Sequence, residues 1–395
     1  MKYFYIVAGL IIYMCIGSVY AWSLFRKPLE QLLNISSTQS GLPYTLLLLL
    51  FSFTMPFGGQ ILQKFGIIKT IMPGALMLST GLILSGFLKS ITAISILYGV
   101  VGGIGVGLIY GVPVAVVAKW FPEKKGTYMG ITLAGFGLSP FVTAHLSKRL
   151  LDLYGPFDTF KILGVIYFLV ITIFSLILKM PQKEEIPTGN NTQQHLRELT
   201  SKEMLKTKEF YGLWLCFTIG STIGLTMISI TSPFAQEVVK VKSSQAAFFV
   251  GIFSVFNGLG RPLFGFLVDK IRSFLTIIIL FLIIIISSIL GFFIKEDAVL
   301  LFFIVFALFY LILGGWLSTA PASTSWFFGT KNYASNYGIV FTAYGVGAFL
   351  GNMISGSLKD ILGSYYYIFY PTLFLGFLGI LISILTLRNV KTSTL

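Results

Sequence analysis

Twelve runs of about twenty mostly apolar residues follow one another along this chain. About twenty residues is the length an α-helix needs to cross the roughly 30 Å hydrocarbon core of a bilayer. The runs fall at 4–25, 41–63, 71–88, 93–118, 127–147, 160–179, 210–236, 245–268, 273–294, 298–325, 333–357 and 366–387. They predict an all-α membrane protein with twelve transmembrane helices. Charge supports this. Only 11% of the residues are charged, against about 25% in a soluble globular protein. A soluble enzyme, a disordered chain and a nucleic-acid-binding domain are excluded. The net charge of +14 belongs to the loops of a membrane protein. The first run is too long for the core of a typical signal peptide and lacks an A-x-A site, so it is kept as span 1.

Twelve spans put both termini on one side. That side carries seventeen of the lysines and arginines and the other side ten, Arg26 among the ten. The positive-inside rule therefore predicts cytoplasmic termini and a multi-pass protein of the inner (plasma) membrane. The one long polar stretch, 181–209, reads as a cytoplasmic linker, and its His195 as a solvent-exposed side chain. The predicted organisation is a six-helix bundle over 1–180, the linker over 181–209, and a second six-helix bundle over 210–395. Cys15 and Cys216 fall inside apolar runs without metal-ligand spacing and read as packing residues.

The two bundles repeat each other. Ser37-Thr38-Gln39 aligns with Ser243-Ser244-Gln245, Pro56 with Pro262, Gly59 with Gly265, and Trp120-Phe121 with Trp326-Phe327, all at an offset of 206; after a two-residue insertion, Gly130-Ile131 aligns with Gly338-Ile339 at 208. An even number of spans per half gives both copies the same orientation. This is the parallel repeat of major facilitator halves, with a substrate site expected between them near the midplane. The repeat also exposes a difference: Phe51 and Met55 stand where the second half has Asn257 and Arg261. The turn after span 2, Gly59 to Gly66 with Lys64, and the turn after span 8, Gly265 to Arg272 with Asp269 and Lys270, each resemble a degenerate major facilitator loop motif, G-x-x-x-D-[RK]-x-G. The first copy lacks the acid and the second lacks the last glycine. Asp269, Lys270 and Lys64 are the candidate gating residues.

Arg261 is the basic residue these spans leave inside the membrane. It lies eight residues before Asp269, about 12 Å deep at 1.5 Å per residue, where a cation costs roughly 2.5–3.5 kcal/mol to insert. All the acidic residues fall in loops or at span ends. A planar guanidinium at that depth suits a carboxylate bound through two parallel hydrogen bonds; backbone carbonyls capping a structural arginine are the competing account. Asn257 is one turn earlier on the same face and adds an amide donor. Tyr110 and Tyr344 are mid-span phenols that need buried partners. Tyr20 and Trp22 lie nearer the outer interface. His145, near the outer end of span 5, is a candidate proton carrier, with a packing role as the alternative. Gly99, Gly103, Gly107 and Gly111 form a stripe in span 4 that favours close helix packing. Spans 6, 9 and 12 read as lipid-facing.

Gly105-Val-Gly107-Leu-Ile-Tyr110, Lys119-Trp120-Phe121-Pro122-Glu123-Lys124-Lys125-Gly126, Tyr20-Ala-Trp22-Ser23-Leu-Phe25, Asn257-Gly-Leu-Gly-Arg261-Pro262 and Asn336-Tyr337-Gly338 through Tyr344 together resemble the oxalate/formate antiporter family of the major facilitator superfamily, whose members are similar to bacterial monocarboxylate carriers. The resemblance implies rocker-switch alternating access, Arg261 on the substrate carboxylate and Tyr110 framing the site. The oxalate carrier has a lysine where this chain has Tyr344, and aromatics where it has Leu313 and Leu317. One cation and a more aliphatic wall imply a monocarboxylate such as formate, lactate or pyruvate. Eukaryotic monocarboxylate carriers have an acid at the position of Asn257, so a proton would travel with the substrate or through His145, or a counter-anion would be exchanged.

The expected protein is thus a secondary transporter of a small organic anion, monomeric in the bilayer, with no cofactor, no metal and no nucleic-acid partner. An exporter of a neutral or amphiphilic compound on the same fold is the first alternative, and a non-transporting receptor the second. There is no paired acid, H-E-x-x-H or buried Ser/His/Asp set for an intramembrane enzyme.

Overall fold

The structure, a computed structural model, describes residues 2–121, 125–181, 198–329 and 332–388. Most of the predicted linker, His195 included, and Pro122, Glu123 and Lys124 of one motif lie outside the described residues. Eleven described helices are long and apolar enough to cross a membrane. One of them, Lys125–Ile177, is two helices joined at Gly155, whose φ of 72° and ψ of 177° are not helical. A straight helix of 53 residues would be about 80 Å long, far beyond one crossing. Splitting it at Gly155 gives twelve spans among the described residues.

The first compact unit lies within 1–192. Its opening helix α1, Tyr3–Ile16, passes through a 3₁₀ turn at Gly17–Ala21 into α2, Ser23–Leu33. Then come α3, Ser37–Phe65; α4, Ile67–Ser85; α5, Ile91–Trp120; and α6 and α7, the arms of Lys125–Ile177 before and after Gly155. The second unit lies within 193–395 and groups with Ser36–Thr38. It holds a short helix α8, Ser201–Met204; α9, Lys208–Glu237; α10, Ser243–Ile271; α11, Ser273–Gly291; α12, Val299–Phe328; α13, Tyr333–Leu362; and α14, Phe369–Leu387.

The repeat seen in the sequence is reproduced in the backbone. Both α3 and α10 have 29 residues, and both α4 and α11 have 19. Residues with left-handed φ fall at matching places: Asn34 with Lys240, Gly66 with Arg272, Gly155 with Gly363. The α3–α4 turn has the Gly66 N–H donating to Leu62 O at 3.0 Å and Thr70 Oγ1 donating to Gly66 O at 2.7 Å. The α10–α11 turn repeats this through Arg272, Val268 and Thr276, at 3.1 and 3.0 Å.

Small residues set the packing inside each unit. A Cβ on Gly103 would lie 2.6 Å from Leu47 O, and one on Gly107 2.6 Å from Thr54 Cβ, so the α5 stripe rests on α3; at Gly111 the space is open within 4 Å. In the second unit, a Cβ on Gly314 would run into Asn257 O, and one on Gly260 into Leu311 O. This reciprocal contact holds α10 and α12 backbone to backbone.

Two expectations need correction. Span 9 is apolar on all sides, yet α11 is not lipid-facing all round: Ile277, Phe281, Ile284 and Ser288 are buried while Leu275, Leu282, Ile286 and Ile289 are exposed. Lipid on one face and protein on the other both favour apolar side chains, so polarity does not separate them. Arg26, counted as an outer-loop cation, is fully buried in α2, because the chain stays helical past residue 25 instead of leaving the bundle as a loop.

Candidate functional site

Arg261 sits in the middle third of α10. Its side chain is buried, with 6% of its surface exposed. Ser318 Oγ of α12 donates to the Arg261 backbone carbonyl at 2.6 Å, a bond that fixes the α10 backbone where the guanidinium departs. Asn257 is fully buried one turn earlier. Its Nδ2 donates to Tyr310 O on α12 at 3.2 Å. The sequence suggested that this amide would offer a donor to cargo. In the structure one of the two N–H groups of that amide is engaged with α12, and among the described residues Asn257 Oδ1 has no hydrogen-bond partner. Tyr310, which the sequence reading missed, is held in turn: its Oη and Thr231 Oγ1 of α9 share a 2.8 Å hydrogen bond. The helix supplying Thr231 is buried at every residue from Cys216 to Ala235.

Tyr344 on α13 belongs to the same unit. It is 1% exposed and stacks on Phe341 with ring centroids 5.1 Å apart and planes 13° apart. Phe217 of α9 lies 6.4 Å from it. Phe217 also stacks on Trp316 of α12 at 6.0 Å. Asn257, Arg261 and Tyr344 are therefore all buried within one unit, on α10 and α13.

In the first unit the corresponding region is aromatic. Phe51, the repeat counterpart of Asn257, packs on Tyr110 with centroids 4.8 Å apart and on Phe136 at 6.0 Å. Tyr110 is half-buried, its ring edge-on to Phe136 at 5.5 Å. Its backbone carbonyl accepts from Tyr13 Oη. Tyr20 reaches the same cluster, edge-on to Phe136 at 5.1 Å. Tyr20 and Tyr110 thus share Phe136 as a neighbour.

Trp22 goes elsewhere. It stacks on Tyr98 at 5.2 Å and on Phe160 at 5.9 Å, and lines a cavity of about 20 Å³ with Ser18, Tyr98, Ser147 and Tyr167, room for about one water. The 3₁₀ turn of residues 17–21 and a π-helical stretch at Ser95–Gly102 border this cavity. The Trp22 Nε1–H donates to Ser40 O at 3.0 Å. One turn on, Arg26 Nε donates to Ser40 Oγ at 3.1 Å, Ser40 Oγ donates to Glu30 Oε1, and Arg26 and Glu30 pair at 4.0 Å. Arg26 is a second buried arginine, neutralised locally, which hydropathy alone assigned to a loop.

His145 is exposed on α6, its Nδ1 3.2 Å from Phe141 O. Phe141, Val142 and Leu146 around it are exposed as well, so it lies on an outward apolar face and does not join the Tyr110 cluster. Lys64, Asp269 and Lys270 are exposed at the ends of α3 and α10. Among the described residues Asp269 forms no ion pair; Lys270 lies over the Phe266 ring at 5.7 Å and Lys64 over Phe65 at 5.2 Å. Asn336, noted only within a motif, is structural. Its Nδ2 and that of Asn332 both donate to Leu199 O, at 3.0 and 3.1 Å, and Asn336 Oδ1 accepts from Ser201 Oγ at 2.9 Å. The segment entering α9 is thereby tied to the start of α13.

Two six-helix repeats of spanning length, one with a buried cation on its second helix, define a membrane transporter. The chain belongs to the Major Facilitator Superfamily, which it matches over residues 5–352 and 222–394. It is 28% identical over 367 residues to the oxalate:formate antiporter of Oxalobacter formigenes, covering 92% of this chain and 86% of that protein. It is 25% identical over 341 residues to human monocarboxylate transporter 12, covering 78% of this chain and 65% of that protein. Its fold matches a bacterial homolog of the human lysosomal transporter Spinster with a TM-score of 0.76 at 15% identity, over 98% of each chain.

Proposed function

We propose that this transporter moves a small organic monocarboxylate by alternating access, with Arg261 as the group that takes the carboxylate. The observation that carries the reading is a buried guanidinium at mid-depth of α10, where an anion offsets a charge that is costly to hold in the membrane. A relative that is an oxalate:formate antiporter and others that are monocarboxylate transporters support the same cargo class. Tyr344, in the same unit, replaces the second cation that a dicarboxylate would call for. Tyr110 and Tyr20 share Phe136 in an aromatic cluster within the first unit. Trp22 acts through the packing of α2 on Ser40 and not on cargo. The carrier lies in the inner membrane with both termini cytoplasmic, in keeping with the lysine and arginine count, and couples flux to a proton or a counter-anion.

The test is a thermal-shift panel on purified protein with formate, acetate, lactate, pyruvate, oxalate and malate, run beside Arg261→Ala. A bound ligand stabilises by mass action, about 2.7 kcal/mol at a hundred times Kd. Stabilisation by one or more monocarboxylates that disappears in the variant is the expected result. Equal shifts in both proteins, or none with any acid, would overturn the proposal and favour a neutral cargo.

A further inference from the structure

We infer that the cargo carries a hydroxyl group beside its carboxylate, and that Asn257 Oδ1 is the acceptor that recognises it. The inference rests on the reading of Arg261 as the carboxylate site.

A side-chain amide has one end that donates and one that accepts. Here the fold fixes which is which. Tyr310 O is a carbonyl and can only accept, so the group 3.2 Å from it on Asn257 is the NH₂. Tyr310 is itself anchored through Thr231, and the Gly314 and Gly260 contacts hold α10 against α12 at this level. The amide is therefore not at liberty to turn over. Its oxygen is the remaining end, fully buried and without a partner among the described residues. A buried acceptor left unmade costs about 1–3 kcal/mol, so a donor is wanted there. Arg261 stands one turn further along the same helical face. A ligand that satisfies both residues has an anionic carboxylate for the guanidinium and an O–H donor near it. Glycolate and lactate have this pair of groups. Acetate and propionate lack the donor. Pyruvate and oxalate would set an oxygen lone pair against Oδ1, which replaces an attraction by a repulsion.

The experiment is calorimetric titration of the purified full-length carrier with glycolate against acetate, and with lactate against propionate and pyruvate, repeated on Asn257→Leu. The expected result is at least about tenfold tighter binding of each hydroxy acid than of its partner lacking the hydroxyl, with that ratio falling toward one in the variant. Equal affinity for glycolate and acetate in the native protein would overturn the inference while leaving Arg261 as a carboxylate site. A preference that survives in Asn257→Leu would overturn it too, since another group would then read the hydroxyl. Binding of none of the five acids would bring down this inference, and binding of none of them nor of formate would bring down the proposed function with it. The comparison within the native protein decides the matter even if the variant does not fold.

Discussion

Gly66 and Arg272 hold the same backbone conformation at equivalent turns of the two repeats, φ 82° and ψ 179° in one, φ 74° and ψ 155° in the other. Only glycine enters this region without strain, and another residue there costs about 1–3 kcal/mol. The exposed Arg272 side chain gives no packing in return. Arg272→Gly is expected to raise the thermal midpoint by the equivalent of about 1–2 kcal/mol. A lower midpoint in detergent would show that the arginine contributes more than its backbone costs.

The glycine stripe of α5 gives a paired prediction. Gly103→Ala puts a methyl 2.6 Å from the backbone of Leu47, whereas Gly111→Ala meets nothing within 4 Å. Overpacking against backbone costs about 1–3 kcal/mol; an alanine in open space is neutral or up to about 1 kcal/mol stabilising in a helix. Thermal unfolding of the two variants should separate them in that order, and the reverse order would contradict the α3–α5 contact.

Arg26 and Glu30 test the buried pair of α2. Glu30→Ala leaves a fully buried guanidinium with Ser40 Oγ still against its Nε. Removing one partner of a buried pair costs about 3–5 kcal/mol, and the retained serine places this case near the lower figure. Replacing both residues together, Arg26→Met with Glu30→Leu, should cost less than the single change. If the single change costs nothing measurable, the pair does not hold α2.

Acid should loosen the entry to α9. The backbone N–H of Thr200 donates to Glu203 Oε2 at 2.8 Å, and Thr200 Oγ1 does so at 2.8 Å, which lowers the Glu203 carboxyl below its ordinary value. A lowered carboxylate stabilises the folded segment above its unfolded pKa, about 4.3, and loses that contribution as pH falls through the lower folded value. The protection factors of residues 199–204, taken against the intrinsic exchange rate at each pH, should therefore fall on acidification through that range. In Glu203→Gln the step should vanish.

The fixation of Leu199 adds one more expectation. Asn336→Ala removes one of two amides on that carbonyl and frees Ser201 Oγ from it, costing about 1–2 kcal/mol. Faster exchange confined to the α8 region would be the signature; unchanged protection would mean that Asn332 alone suffices.

The spans and the internal repeat were legible because both rest on one-dimensional signals. Length and hydropathy set the crossings, and Gly66, Gly155 and Gly363 mark turns that the backbone makes with left-handed φ. The fate of individual polar side chains was not legible. Arg26 looked like a loop cation because its partners, Ser40 and Glu30, are recognisable only once α2 and α3 pack. Nothing in the helical phase of Asn257 announces that Tyr310 O, fifty-three positions away, takes one of its two N–H groups. His145 shows the same limit in reverse: its outward orientation follows from α6 turning Thr132 and Ser139 toward α1 and leaving Phe141, Val142 and Leu146 exposed, which hydropathy does not reveal.

The reciprocal glycine contact of α10 and α12 has a mechanical meaning. Two helices joined backbone to backbone at Gly260 and Gly314, and pinned again by Ser318 on Arg261 O, resist shear against each other. The guanidinium is mounted on a stiff two-helix strut and not on a single compliant rod. Any stroke that carries Arg261 must carry α12 with it, so the load of a working cycle falls on the turns at the ends of this strut, where Arg272 and Gly329 already hold their unusual angles.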